Sequence, residues 1–128
     1  MTAWTQEELA LFSEAYALVL TAGDSGDLGV EVGMVTAGGQ LYVRAYSGVR
    51  SRWYQAAQQH GHGRIRVDGV TREVLLRTEG IDPSAEIDDA FRAKYGQVAS
   101  FLLGNADARA ATIRISPSRR GNRLAADG

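Results

Sequence analysis

Arg64-Ile65-Arg66-Val67, Asp68-Gly69 and Val70-Thr71-Arg72-Glu73-Val74 constrain the fold more than any other stretch of the chain. Apolar and polar residues alternate on both sides of an Asp-Gly pair. That pair favours a two-residue type I′ turn, because both of its positions tolerate φ > 0. The turn sets a register in which Val67 faces Val70, Arg66 faces Thr71, Ile65 faces Arg72 and Arg64 faces Glu73. Arg64 and Glu73 then form a cross-strand charge pair worth about 0.2–1 kcal/mol. Arg72 falls on the apolar face of Ile65, Val67, Val70, Val74 and Leu76, where an arginine sits at an edge or an interface, or holds an anion.

A second hairpin precedes the first. Val30, Val32 and Met34 alternate with Glu31 and Gly33 over 30–36, Ala37-Gly38-Gly39 makes a tight turn, and 40–46 returns as the partner strand. Period-two geometry places Leu41, Val43 and Ala45 on a core face and Tyr42, Arg44 and Tyr46 on the other. Thr5 and Glu8 form a capping box that opens a short helix over 6–12. The apolar run from Tyr16 to Leu20 predicts a buried strand over 14–21, ended by the Gly23-Asp24-Ser25-Gly26-Asp27 loop. Ser51 reads as the N-cap of a helix over 52–60, and Gly61 as its C-terminal cap.

Asp82-Pro83 opens a later helix carrying Ile87, Ala90, Phe91, Lys94 and Tyr95, with Gly96 at its end. A short helix over 98–104 follows. The last strand, over 110–117, turns Ala111, Ile113 and Ile115 inward and Thr112, Arg114 and Ser116 outward. Helices set between hairpins exclude a doubly wound parallel sheet, which needs strand–helix alternation throughout. The expected fold is mainly β with α: a six-stranded, mostly antiparallel barrel with peripheral helices. It occupies 1–117 as one domain, and 118–128, with Arg119, Arg120 and Arg123, forms a flexible basic tail.

Composition narrows the function classes. The chain has no cysteine, which excludes a disulfide framework, a thiolate zinc site, an iron–sulfur cluster and a cysteine nucleophile. A formal net charge of −1 argues against nucleic acid as a partner held by a positive field. The first eight residues lack the basic start and apolar run of a secretion signal, and no stretch reaches the ~18–20 apolar residues that cross a bilayer. A cytoplasmic protein without membrane or nucleic-acid partners is expected. Lys94 is the only lysine among 14 basic residues. This arginine bias reflects either coding composition or the fit of guanidinium forks to phosphate and carboxylate.

Tyr42, Arg44, Tyr46, Ser47, Arg50, Ser51 and Arg52 lie within eleven residues and form the sharpest candidate site. A strand end, a hydroxyl-rich loop and a helix N-terminus converge there. Helix N-termini carry unpaired N–H groups and partial positive charge, guanidiniums add charge-assisted bonds, and tyrosines flank flat rings. A solvated helix start with surface arginines is the competing reading of the same residues. Trp53 and Tyr54 follow at once, to pack the helix on the barrel or line a pocket. His60-Gly61-His62 lacks a third neighbouring ligand, so no metal site is expected. Asp82, Glu86, Asp88 and Asp89 complement the dipole of the helix they begin.

The strand and loop "LYVRAYSG", the helix start "SRWY", the hairpin "GRIRVDGVTREV", the helix "DAFRAKYG" and the strand "ATIRISP" together carry a resemblance. The chain resembles a bacterial family of small uncharacterised proteins grouped with the flavin-binding split β-barrels. These are similar to pyridoxamine-phosphate oxidases and deazaflavin-dependent nitroreductases. The resemblance implies a split barrel, a homodimer with cofactor at the subunit interface, and an FMN- or deazaflavin-dependent oxidoreductase acting on a small-molecule substrate. It places the cofactor phosphate at Arg44, Ser47, Ser51 and Arg52, with Tyr46 or Trp53 near the ring system and Arg72 at the dimer face. Ala45 stands where many members carry serine. The phosphate-binding lysine of the oxidase branch has no counterpart, since Lys94 lies in a later helix. Both departures favour an alternative, a non-catalytic dimeric binding module of the same fold without the cofactor.

Overall fold

A computed structural model describes residues 4–23, 29–45, 48–79, 85–96 and 110–118. The expected helix over 98–104, the helix start at Asp82-Pro83, the loop at 24–27 and the tail residues 119–128 lie outside the described residues. Within them the chain runs α1 (Gln6–Glu14), β1 (Ala17–Ala22), β2 (Val30–Ala37), β3 (Gln40–Arg44), a single 3₁₀ turn (Gly48–Arg50), α2 (Arg52–His60), β4 (His62–Val67), β5 (Val70–Arg77), α3 (Ala85–Tyr95) and β6 (Thr112–Pro117). The six strands close into an antiparallel barrel in the order β1-β2-β3-β6-β5-β4.

Both hairpins set the register that their turns demand. Val67 faces Val70, Arg66 faces Thr71, Ile65 faces Arg72 and Arg64 faces Glu73. Asp68 and Gly69 have φ of 50° and 82°, as a type I′ turn requires. Gly38 and Gly39 likewise take positive φ between β2 and β3, so Ala37 pairs with Gln40. Strand alternation then decides what fills the barrel. Leu18, Leu20, Met34, Leu41, Val43, Ile65, Val67, Val74, Leu76, Ile113 and Ile115 are buried together in one cluster.

The helices complete the core. Trp4 and Phe12 pack edge to face with ring centroids 4.8 Å apart, and the Trp4 indole N–H donates to the Ile115 carbonyl at 2.9 Å. Tyr54 and Ala57 bring α2 into the same cluster, with Trp53 packed at its margin. A separate cluster of Val35, Ile87 and Phe91 seats α3 on the outer face of β2 and β3, flanked by Tyr42, Ala90 and Tyr95.

Several boundaries differ from those expected: β4 begins at His62, β5 runs on to Arg77 and β6 begins at Thr112. The first helix extends to Glu14, where Ala15 N–H donates to Leu11 O and closes its last turn. The first strand accordingly begins at Ala17 rather than at 14, with Leu18 and Leu20 buried and Val19 and Thr21 half-buried. The third strand ends at Arg44; Ala45 still donates to Ala111 O, and Gly48 N–H donates to Ala45 O as the chain turns toward α2. Gly63 is needed for close approach: a Cβ there would run into the Thr21 carbonyl across the β1–β4 pairing. No helix among the described residues is long and apolar enough to cross a membrane.

Candidate functional site

The outward face of β3 is covered by α3. Arg44 is buried there, pairing with Asp88 through Nη1 and Oδ1 at 2.7 Å. Its Nε donates to Thr112 Oγ1 at 2.9 Å, and its Cζ lies 5.2 Å from the centre of the Phe91 ring. Thr112 sits opposite Arg44 in the β3–β6 register, so strand pairing delivers the hydroxyl while α3 delivers the carboxylate and ring. Tyr42 is half-buried against the same helix. The guanidinium expected at a ligand is therefore engaged within the fold.

Arg72 also has an internal partner. Its Nε lies 3.1 Å from Glu8 Oε2, and its Nη1 donates to Thr71 O. Glu8 meanwhile completes the capping box of α1, accepting from Thr5 N–H at 2.9 Å. The apolar face thus carries an arginine because the first turn of α1 presents an anion to it. Burial pushes the Glu8 carboxyl up, but its bonds with Thr5 and Arg72 outweigh that and hold it below the ordinary value.

The helix start after the barrel corner is more open. Arg50 and Arg52 are exposed and flank Ser51, which has the extended backbone of an N-cap. Its carbonyl accepts from Gln55 N–H, but its side chain makes no capping bond, and Ser51 Oγ is buried without a hydrogen-bond partner. Such a hydroxyl ordinarily satisfies one of the N–H groups that a helix start leaves unpaired. Here that capacity is unused on both sides. Trp53 is half-buried beside it. Tyr46 and Ser47 lie outside the described residues. Of the nine candidates, Arg50, Ser51, Arg52 and Trp53 are consecutive at the start of α2, while Arg44 with Tyr42 and Arg72 have separate surroundings.

The sequence marks Lys94 as the one lysine of the chain and places it on α3, but assigns it no role. Its ammonium reaches from α3 to the carbonyls of Phe12 and Met34, at 2.9 and 2.8 Å. The first is among the carbonyls left unpaired at the end of α1, so Lys94 caps that helix from outside. Burial lowers its pKa to about 8. Beside it, Tyr95 Oη accepts from Met34 N–H at 2.8 Å and lies 2.6 Å from Tyr16 O, to which it donates. Burial raises the Tyr95 pKa. The signal for this pair lay in its spacing: Lys94 and Tyr95 follow Ala90 and Phe91 by four, on the face that α3 turns to the sheet.

His60 and His62 stand with ring centroids 6.1 Å apart, and among the described residues no three histidine or acidic side chains converge as metal ligands would. A family model matches residues 14–115, from the end of α1 into β6. The chain belongs to DUF2255, a family of uncharacterised proteins conserved in bacteria. No curated protein matches it. Within DUF2255, then, this chain contributes a closed antiparallel barrel, an engaged arginine under α3 and an open helix start at Ser51.

Proposed function

We propose that this DUF2255 protein binds the phosphate of FMN or a deazaflavin at the start of α2 and serves as a split-barrel oxidoreductase, assembled as a homodimer. One observation carries the reading: Ser51 Oγ is buried and unpartnered at a helix start whose own N–H groups lack a side-chain cap. A phosphate oxygen would accept from that hydroxyl and from the first-turn N–H groups together. Arg50 and Arg52 supply counter-charge from the exposed rim, and Trp53 offers an aromatic wall. The bound ring would supply hydride transfer, which explains why no dyad of acid and base is required of the protein. The chain's part is to grip the head group and orient the ring.

The second reading, a dimeric binding module without the cofactor, is favoured by Arg44. Its engagement with Asp88 and Thr112 leaves the corner without the cation that the resemblance assigns to phosphate. One experiment separates the two. The protein is purified from its native host for an absorption spectrum, then stripped and titrated with FMN and a deazaflavin while its mass in solution is measured. The oxidoreductase reading expects flavin or deazaflavin absorbance and saturable binding. It also expects Arg52→Ala to weaken binding by about 10–100-fold, on ~1.5–3 kcal/mol per charge-assisted bond. A colourless dimer that binds neither ring system establishes the second reading instead.

A further inference from the structure

A groove of about 320 Å³ runs between α1, β2 and α3, away from the start of α2. Lys94, Ser13 and Thr36 line one part of it, and Val35, Ala90 and Ala93 the other. Ser13 Oγ and Thr36 Oγ1 lie 3.2 Å apart and hydrogen-bond to each other. An ammonium has three N–H donors, and two of those on Lys94 are taken by the Phe12 and Met34 carbonyls. Among the described residues Lys94 makes no ion pair. The groups facing it are the Phe12 carbonyl and Ser13 hydroxyl from α1, the Met34 carbonyl and Thr36 hydroxyl from β2, and the Tyr95 ring, centred 5.4 Å away, from α3. None is an anion.

We infer that this groove is a binding site for a small monocarboxylate with a short apolar body. Its carboxylate would sit against the third N–H of Lys94 and the Ser13 and Thr36 hydroxyls, and its body against Val35, Ala90 and Ala93. A half-buried cation without a counter-ion is costly, and an incoming carboxylate relieves that cost by pairing with it. Two hydroxyls that bond to each other keep one donor free for an incoming oxygen, and offer both once that bond opens, while Ala90 and Ala93 leave room that larger side chains would fill. Burial, with no anion beside the ammonium to offset it, lowers the pKa of Lys94 to about 8. The inference stands apart from the cofactor reading, since it shares no residue with it.

Because the chain has one lysine, labelling with lysine enriched in ¹³C at Cε gives a single side-chain lysine resonance. Wild-type protein is titrated with butyrate and with benzoate at pH 7, and the titrations are repeated up to pH 10. The expected result is a saturable shift of the Lys94 signal and a rise of its pKa toward the ordinary value. Affinity should fall by about tenfold per pH unit once the free lysine deprotonates, because one proton is linked to binding. Thr36→Val should weaken binding several-fold while leaving the Lys94 pKa of the free protein near its starting value. A Lys94 signal indifferent to tens of millimolar butyrate and benzoate overturns the inference. So does an equal response to neutral butyramide, since the charge would then play no part. The wild-type titration decides the matter even if Lys94→Met disturbs folding.

Discussion

Asp88→Asn tests the arrangement around Arg44 most directly. The Arg44 side chain is 0% exposed and that of Asp88 18% exposed, so the two partners are not equivalent. Removing the aspartate charge takes away the carboxylate 2.7 Å from a guanidinium sealed between β3 and α3, where the Thr112 hydroxyl and the Phe91 ring carry no charge to replace it. Breaking a buried pair in this way costs about 3–5 kcal/mol. Removing the arginine as Arg44→Met leaves a carboxylate that water reaches, and methionine keeps much of the packing against Phe91. A loss of about 1–2 kcal/mol is expected there, at the lower end of what an unpaired polar group costs.

The double variant, Arg44→Met with Asp88→Leu, removes both charges and should fall close to wild type, as neutralised buried pairs do. Urea unfolding, followed by the fluorescence of buried Trp4 and by circular dichroism, gives the three values and their coupling. In thermal melts Asp88→Asn should lower Tm by about 10–25 °C, taking roughly 3–5 °C per kcal/mol for a domain of this size. An Asp88→Asn variant within about 0.5 kcal/mol of wild type, with additive losses in the double, would refute the reasoning. The same arginine would then have to be treated as available to a ligand, and its effect on cofactor affinity would become the measurement of interest.

Three further outcomes follow from the same geometry. The folded-state pKa of Lys94 is about 8 against an ordinary 10.5, so the unfolded chain binds more protons between those values and stability should rise with pH across that window; Lys94→Met should flatten the rise in a pH series of urea melts. The Glu8 carboxyl is held below 4.5, so its contribution is present above that value and lost as pH falls through the lowered one; Glu8→Gln should cost about 1 kcal/mol or less at pH 7, as for a partly exposed pair, and remove that acid limb. A Cβ on Gly33 would lie 3.0 Å from Tyr95 Oη, so Gly33→Ala should displace the hydroxyl from Met34 N–H and Tyr16 O and cost about 1–3 kcal/mol, a loss that shrinks in a Tyr95→Phe background.

The barrel was legible because its instructions are local. Asp68-Gly69 and Gly38-Gly39 each dictate a turn that joins strands adjacent in the chain, and alternation then sorts Ile65, Val67, Leu41 and Val43 to the inside. Helix starts and stops at Thr5, Ser51 and Gly61 were readable for the same reason, since caps act within a few residues. The closure of β1 on β4 and of β3 on β6 is not local. It follows from the need of every edge to find a partner, with Gly63 allowing the first contact and Thr112 marking the second.

The site was less legible because alternation names a face without naming its cover. Tyr42 and Arg44 share an outward face with Val35, the cross-strand neighbour of Tyr42, and that apolar neighbour already argued against open solvent. On α3, Ile87 and Phe91 form a stripe, and Asp88 lies three residues before Phe91, on the flank of that stripe. A stripe of that kind needs a sheet face, and β2 and β3 offered one bearing an arginine; matching the carboxylate to the guanidinium required knowing that these two elements meet. Arg72 on β5 shows the same limit. Glu8 was readable as a cap but not as a counter-ion, because its second role depends on α1 packing near β5. In both cases the chain supplies its own anion to an arginine that the sequence alone offers equally well to a ligand. Ser51 differs, since a buried hydroxyl with no bond inside the fold is where the demand for a partner remains. A phosphate at the start of α2 would meet that demand, whereas the Arg44 guanidinium already has Asp88.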